Sequence, residues 1–232
     1  MTGWRRLGVV VPSSNTAVER EFPRYVPEDV SVHASRMPLE SVTSEALDAM
    51  SDRAVECAAL LAHADVDAVA YACTTGSLLH GPGFDRELEE ALSAAIDGPA
   101  VATALSVDRA LETLGVDRVA VRTPYNEELN AREREYLEAA GYEVTSIEGR
   151  GIEDNTRIGA LTPADAARQV RETVDPDADA VFVSCTNYRT LSAVEPLESD
   201  LGVPVVTSNG ATLWDLCRVA GVECEGPGRL FR

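Results

Sequence analysis

The strongest constraint on the fold is an internal repeat. Two short runs of Val and aromatic residues each follow an Asp-Ala pair, and each leads to a Cys-Thr pair. The cysteines, Cys73 and Cys185, are 112 residues apart (185 minus 73), and Pro12 and Pro124, which end two earlier apolar runs, have the same separation. Short apolar runs of this kind are typical of buried parallel strands. The repeat therefore predicts two similar α/β halves.

The rest of the chain supplies alternating strands and helices for these halves. We expect the first half to span residues 1–115, completed by the C-terminal helix at 210–232, and the second half to span 116–209. Further strands are predicted at 7–11, 30–34, 99–103, 142–147 and 203–207, and helices at 44–64, 84–96, 105–114, 127–140 and 212–220. Thr16 and Glu19 have capping-box spacing. Thr162-Pro163-Ala164-Asp165 offers an N-cap, a proline at the first helical position and an acid at the third. Three further segments are predicted as a break at Gly81-Pro82-Gly83, a connector or lid at 149–159, and a surface tail from Glu223.

Charge composition excludes several kinds of partner and mechanism. The 232 residues carry a formal net charge of −19, and all 20 basic residues are arginine. We therefore expect no nucleic acid or anionic membrane as partner, because acidic residues outnumber the arginines that could neutralise phosphates. A chain without lysine has no Schiff-base lysine and no phosphate-binding loop lysine. The acidity also suggests a hypothesis of adaptation to high salt, where charge repulsion is screened.

The cysteine and histidine patterns point to thiol chemistry in a reducing compartment. Five scattered cysteines, with no C-x-x-C pair, favour a cytoplasmic protein. No apolar run is long enough to span a membrane, and the sequence lacks a signal-peptide pattern. We expect no metal and no cofactor, because the histidines have no metal-ligand spacing. The cysteines outside the repeat are predicted to be ordinary buried residues: Cys57, Cys217 and Cys224.

The two Cys-Thr pairs form the candidate site. Ligands of open α/β sheets bind beyond the carboxyl ends of the strands, where both thiols would lie. The amides that begin the following helix should lower the pKa of Cys73 and could hold a carboxylate. Two facing thiols suit nucleophilic addition on one side and proton transfer on the other. The alternative is that both are ordinary core cysteines. Asn15, beside another strand end, is either a carboxylate contact or a turn residue.

Several motifs together resemble a known family. They are Pro12-Ser13-Ser14-Asn15-Thr16, Ala72-Cys73-Thr74-Thr75-Gly76-Ser77, Thr123-Pro124-Tyr125, Glu153-Asp154-Asn155 through Ile158-Gly159, Ser184-Cys185-Thr186-Asn187 and Ser208-Asn209. In this order and over nearly the whole chain, they are similar to the maleate cis-trans isomerases of the aspartate/glutamate racemase superfamily, relatives of the arylmalonate decarboxylases. The resemblance implies two pseudo-twofold-related flavodoxin-like halves, each a parallel four-stranded sheet with flanking helices, and an active site between them.

The resemblance also implies residue roles. Cys73 would add to the double bond of a small dicarboxylate, maleate, to give a succinyl-cysteine, and Cys185 would be the acid and base on the way to fumarate. The matching substrate-binding positions are Asn15, Thr74, Thr75, Tyr125, Asn155, Thr186 and Asn187. A homodimer or homotetramer is the expected assembly.

Other activities stay open at this point. A two-cysteine amino-acid or hydantoin racemase, or an arylmalonate-type decarboxylase that needs only the second thiol, would be related enzymes. A dicarboxylate-binding protein without turnover is the non-enzymatic alternative. Three residues depart from the family pattern: Thr75, Gly210 and Arg122. Arg122 is either a surface charge at a strand edge, which we favour, or an additional carboxylate partner.

Overall fold

Two parallel four-stranded sheets form the framework of the protein. The structure is a computed structural model and describes residues 4–39, 43–51, 53–78, 83–173 and 175–232. The first sheet has the strand order β2-β1-β3-β4 and the second β6-β5-β7-β8. The strands are β1 (Arg5–Pro12), β2 (Val30–Met37), β3 (Ala68–Tyr71), β4 (Ala100–Ala102), β5 (Arg118–Arg122), β6 (Glu143–Glu148), β7 (Ala180–Val183) and β8 (Val205–Thr207).

The strand register repeats as the sequence does. In the first sheet Leu7 of β1 pairs with Ala68 of β3, and in the second Val119 of β5 pairs with Ala180 of β7. Both members of the second pair lie 112 residues after their counterparts (119 minus 7 and 180 minus 68). Both thiol strands are central and completely buried, which explains their unbroken apolar sequences. The predicted α/β class with two four-stranded parallel sheets is thus confirmed.

Helices cover the sheets. They are α1 (Val18–Glu21), α2 (Ser44–Ser51), α3 (Ala54–Ala62), α4 (Thr74–Leu78), α5 (Phe84–Ile96), α6 (Thr103–Thr113), α7 (Glu127–Ala139), α8 (Asn155–Ala160), α9 (Pro163–Glu172), α10 (Val194–Leu201) and α11 (Ser208–Ala220). The last of these, α11, follows β8 but packs on β3, β4 and α6 of the first half. The proposed boundaries at residues 115 and 210 stay a prediction. In the described ranges no helix is both long and apolar enough to cross a membrane.

One predicted helix start and one predicted long helix differ from the structure. The Asn15 side chain accepts hydrogen bonds from the amides of Ala17 and Val18, so the capping box at Thr16 is wrong. The single helix at 44–64 is two helices, with Arg53 near φ −93° and ψ −4° just before the second. The apolar period continues across this break, which hid it in the sequence. The N-cap at Thr162 is confirmed, and Asp165 completes a capping box with it.

Loops and tail carry more structure than the sequence indicated. The segment at 149–159, without clear periodicity, contains the start of α8, capped by the Asp154 carboxylate on the amides of Thr156 and Arg157. Residues 81 and 82 of the predicted break at Gly81-Pro82-Gly83 lie outside the described residues. The tail is not simply a surface segment, because Leu230 is buried and the Arg229 amide hydrogen-bonds to the buried Glu198.

A disulfide also holds this tail. Cys217 of α11 is bonded to Cys224, seven residues further on. The prediction that both were ordinary buried cysteines is therefore wrong, although Cys57 is a buried free cysteine as expected. The spacing gave no indication of the pairing, which depends on the chain reversing after Gly221, where φ is +65°.

Side chains from one half are anchored in the other. The Glu21 carboxylate, only 5% exposed, accepts hydrogen bonds from the amides of Thr190 and Leu191 and from the Asn209 side chain. Asp215 of α11, fully buried, accepts hydrogen bonds from Arg109 at 2.7 Å and Ser106 at 3.0 Å, both in α6. The Glu21 contacts connect the first half to the second, and the Asp215 contacts hold α11 on α6.

Candidate active site

The two repeat cysteines open into one cavity between the sheets. Cys73 lies two residues beyond β3 and Cys185 two residues beyond β7, so each thiol is placed by the carboxyl end of a central strand. Both are buried, with 4% and 6% of their surface exposed. The cavity that both thiols line is narrow, with about 10 Å³ of room, roughly that of one water molecule. This is the edge of an α/β sheet at which ligands usually bind.

All of the predicted site residues line this cavity. Besides the thiols they are Asn15, Thr74, Thr75, Tyr125, Asn155, Thr186 and Asn187. Pro12 and Leu39 complete the lining. Leu39 was missed by the sequence analysis, although its place just after the carboxyl end of β2 was a usable signal. It adds an apolar contact to a lining otherwise dominated by amide, hydroxyl and thiol groups.

The Cys73 thiol sits at the start of α4. The amides of Thr75 and Gly76 and the hydroxyl of Tyr71 lower its pKa, and its sulfur lies 3.8 Å from Thr75 Oγ1. Burial nevertheless has the larger effect and raises the pKa above its usual value. The prediction of a lowered thiol pKa is therefore wrong for the unliganded site. The sequence showed the helix amides but not how completely the surrounding elements exclude water.

The Cys185 thiol has a strained backbone and a different set of partners. Its φ is +98°, a left-handed value that a non-glycine residue adopts only at a cost. Burial raises its pKa to about 12, while hydrogen bonding by Tyr125 and the Asn187 amide lowers it. At neutral pH this group is a thiol. The Tyr125 hydroxyl is also buried, which raises its own pKa well above the usual value.

A hydroxyl pair connects the two cysteine segments. The Thr74 hydroxyl donates to Ser208 Oγ at 2.8 Å, and the Cys185 amide donates to the same oxygen at 3.0 Å. Ser208 is the first residue of α11 and is fully buried. It was recognised in the sequence only as part of a motif, not as this link. The bridge holds the residue after Cys73 against the backbone of Cys185.

Thr186, which follows Cys185, contacts the first half directly at two places: the residue before Cys73 and Asn15. The Thr186 hydroxyl donates to the Ala72 carbonyl at 2.9 Å, and the Asn15 amide donates to Thr186 Oγ1 at 3.3 Å. Asn15 thus lines the cavity while its side-chain oxygen accepts from the amides of Ala17 and Val18 just before and at the start of α1. Its amide nitrogen has two hydrogens, of which the contact with Thr186 uses one.

The first turn of α8 closes another side of the cavity. Asn155 donates from its side chain to Ser14 Oγ at 2.7 Å, and Asn187 donates to the Asn155 carbonyl oxygen at 2.7 Å. Asn187 in turn accepts from the Thr16 amide at 2.8 Å. These contacts tie α8 to both halves of the protein. The alternative of a lid in this segment stays a prediction.

Two of the residues that depart from the family pattern lie outside the cavity lining. Arg122 is only 1% exposed, so the favoured interpretation as a surface charge is wrong. Its guanidinium donates to the side chain and carbonyl of Thr173 and, at 3.1 Å, to Ser146 Oγ. Burial lowers its pKa. Gly210 lies in the first turn of α11, where its amide donates to the Thr207 hydroxyl. Among the described residues, no cluster of His, Cys, Asp and Glu has the geometry of a metal site.

The fold and the cavity identify a class of protein: a duplicated α/β protein with two cysteines on opposite sides of a polar cleft. Sequence comparison then identifies the family. The arylmalonate decarboxylase family profile matches residues 7–231. The chain is 32% identical to a maleate isomerase of Geobacillus stearothermophilus, covering 96% of this chain and 94% of the relative. It is 33% identical to an arylmalonate decarboxylase of Bordetella bronchiseptica, covering 97% and 95%. The chain therefore belongs to the family of arylmalonate decarboxylases and maleate isomerases.

Solved structures agree with this assignment. The fold matches the maleate isomerase of Pseudomonas putida S16 with a TM-score of 0.93 at 29% identity, covering 98% of both chains. A cysteine-to-serine mutant of the Nocardia farcinica maleate cis-trans isomerase, with a covalently bound succinylcysteine intermediate, matches with a TM-score of 0.92 at 29% identity and the same coverage. An arylmalonate decarboxylase structure matches with a TM-score of 0.83, covering 97% of this chain and 98% of the other.

Proposed function

We propose that this protein is a maleate cis-trans isomerase that converts maleate, or a related cis-enedioate, to fumarate. The observation that carries the proposal is the placement of Cys73 and Cys185 on opposite sheets in one small polar cavity. A decarboxylation that uses one thiol needs no second thiol, whereas addition and elimination at a double bond use both. The similarity to maleate isomerases, one of them bearing a succinylcysteine, supports the same reaction.

In this proposal the polar lining binds the two carboxylates. Asn15, Tyr125 and Asn155 offer amide and hydroxyl donors, and Thr74, Thr75, Thr186 and Asn187 offer further donors next to the thiols. The amides of Thr75 and Gly76, which already lower the pKa of Cys73, would also stabilise negative charge as it moves onto a carboxylate. Donors fixed by the fold in a buried site act strongly because they need no reorganisation.

The chemical steps balance with two cysteines alone. Cys73 first loses its proton to solvent, which makes the thiolate a minor form because burial raises its pKa. The thiolate then forms a bond from Sγ to one alkene carbon, and the displaced π pair takes the proton of the Cys185 thiol at the other carbon. The succinyl-cysteine that results has a single bond between these carbons, so its ends rotate. Cys185, now a thiolate, removes the proton again, the double bond re-forms, and the bond to Cys73 breaks to release fumarate. A Cys185 pKa of about 12 suits a group that starts as the acid.

A proton NMR time course with maleate tests the proposal. The purified protein, in reducing buffer at low and at molar salt, should produce fumarate, whereas Cys73→Ala and Cys185→Ala should not. Cys57→Ala is the matched control, because Cys57 is a buried free cysteine whose sulfur contacts the Arg36 carbonyl instead of the cavity. In Cys185→Ser, mass spectrometry of the maleate-treated protein should detect a succinyl adduct on Cys73.

A folded protein that leaves maleate unchanged at every salt concentration would refute the isomerase assignment. The second candidate is then decarboxylation of an arylmalonate, which the family profile and the Bordetella bronchiseptica relative favour. Release of carbon dioxide that persists in Cys73→Ala but not in Cys185→Ala would establish it. Loss of optical rotation from aspartate, glutamate or a hydantoin would instead indicate a racemase.

The setting of the enzyme is proposed on separate grounds. The net charge of −19 supports an enzyme that does not bind nucleic acid and that tolerates high salt. A homodimer or homotetramer is the assembly that we expect from enzymes of this kind. A cytoplasmic location is supported by the free thiols of the cavity, but the Cys217–Cys224 disulfide opposes it, since disulfides are rare in reducing compartments.

A further inference from the structure

One buried acid has no place in the mechanism above. Glu133, on α7, is completely buried, and neither carboxyl oxygen has a hydrogen-bond partner at standard geometry. A buried carboxyl without partners is costly, more so when it is ionised, and such groups usually have a functional reason. The sequence of α7 is highly charged, so nothing in the pattern distinguished this glutamate from the exposed ones around it.

Glu133 faces a second internal space, behind the first. A small void of about 10 Å³, roughly room for one water molecule, is lined by Glu133 and also by Thr74 from α4, Phe182 from β7 and Tyr136 from α7. The other lining residues are apolar: Ala104, Val107 and Leu137. Thr74 thus lines both cavities, because it follows Cys73 on one side and borders the Glu133 space on the other. No basic side chain lines this space, so nothing there compensates a carboxylate charge.

The groups around Glu133 are active-site residues, the segment beside them and one further acid. Ser184, which immediately precedes Cys185, is near enough for its hydroxyl to lower the pKa of Glu133, although this contact falls outside standard hydrogen-bond geometry. Burial outweighs it and raises the pKa of Glu133 to about 8. A charge on Glu133 would raise the pKa of both Cys185 and Tyr125. The remaining acid nearby, Asp85 of α5, accepts a hydrogen bond from Tyr136 at 2.9 Å.

We propose that Glu133 is a positioning residue for proton transfer, whose uncharged carboxyl keeps Cys185 acidic enough to protonate the substrate and whose ionisation stops this step. The proposal rests on the isomerase function. With Glu133 neutral, Cys185 can release its proton without creating two neighbouring negative charges. Once Glu133 has lost its proton, the thiolate of Cys185 would form next to a carboxylate in a site of low polarity, which is strongly disfavoured. The rate of proton transfer from Cys185 should therefore fall as the pH rises through the pKa of Glu133.

The pH dependence of maleate turnover tests the role of Glu133 directly. Because Cys73 ionises over the same pH range in every variant, the informative quantity is the ratio of kcat in a variant to kcat in the wild type. For Glu133→Gln this ratio should lie within about threefold of one at pH 7 and should rise about tenfold by pH 9, where Glu133 of the wild type has lost its proton. Glu133→Leu should show the same rise, whereas Glu133→Asp should not. A ratio for Glu133→Gln that does not change with pH would overturn the proposal, whether or not the leucine variant folds.

An alkylation assay separates this proposal from the isomerase assignment. In Cys57→Ala/Cys73→Ala, Cys185 is the remaining free thiol. Its rate of reaction with iodoacetamide, followed by mass spectrometry at pH 9, should rise about tenfold when Glu133→Gln is added, because removing one like charge lowers the pKa of the thiol by about one unit. An equal rate with and without Glu133→Gln would refute the coupling. A tenfold rise in a protein that does not isomerise maleate would refute only the function.

Discussion

The buried carboxylate of Asp215 should contribute strongly to stability, and Asp215→Ala tests this. The Asp215 side chain is fully buried and binds Arg109 at 2.7 Å, Ser106 at 3.0 Å and Arg218 at 2.9 Å. Removing one partner of a buried ion pair typically costs 3–5 kcal/mol. Because Arg109 keeps its paired contacts to Glu89, both at 2.8 Å, we expect the low end, about 3 kcal/mol.

Urea denaturation at fixed salt concentration provides the measurement. Asp215→Ala should lower the free energy of unfolding by about 3 kcal/mol, and the melting temperature by roughly 6–12 °C for a chain of this size. The control is Glu195→Ala, which removes an ion pair with Arg232 whose side chains are 60% and 70% exposed. This variant should change the free energy of unfolding by less than about 1 kcal/mol. A loss below about 1 kcal/mol in Asp215→Ala as well would refute the reasoning that this network holds α11 on α6.

Three further perturbations have defined outcomes. Cys185→Gly should be more stable than Cys185→Ala by about 1 kcal/mol in urea denaturation, because glycine tolerates the positive φ, and both should be inactive; equal stabilities would contradict strain at this residue. Without reductant, three of the five cysteines should react with a thiol reagent in denaturant, and five reactive thiols would disprove the Cys217–Cys224 bond. Reduction of this bond should lower the unfolding free energy by about 2 kcal/mol. Gly76→Ala should reduce kcat at least tenfold, since its methyl group would overlap the Tyr71 hydroxyl that contacts Cys73, and a normal kcat would show that this hydroxyl moves aside freely.

The repeat made the fold and the cavity lining predictable. Once Cys73 and Cys185 were assigned to equivalent strand ends, the rule that ligands bind at the carboxyl ends of parallel strands placed each thiol at the binding edge of its own sheet. That these two edges face each other followed from the duplication of the halves and from the family resemblance. The other lining residues were predictable through family resemblance rather than from spacing alone. Leu39 escaped because it belongs to no recognised motif, even though it follows a predicted strand.

Properties that depend on burial could not be predicted in this way. Whether helix amides or loss of water controls the pKa of Cys73 is decided by how tightly distant segments close over it. The same applies to Glu133, which lies among other charged residues on α7 and is distinguished only by the face it turns inward. The Cys217–Cys224 pair and the buried Arg122 likewise depend on tertiary contacts, namely a folded-back tail and the end of α9.

The hydrogen bonds of Glu21 across the sheet boundary have a consequence for how such enzymes can change. Each thiol is fixed rigidly to its own sheet, so the gap between the two sulfurs is set by the docking of one sheet against the other. Glu21, Thr190 and Asn209 are part of that docking. Substitutions far from the substrate can therefore widen or narrow the gap without altering any reacting group. Enzymes of this family can therefore adapt to larger or smaller substrates through changes at the contact between the two sheets, while the reacting groups stay the same.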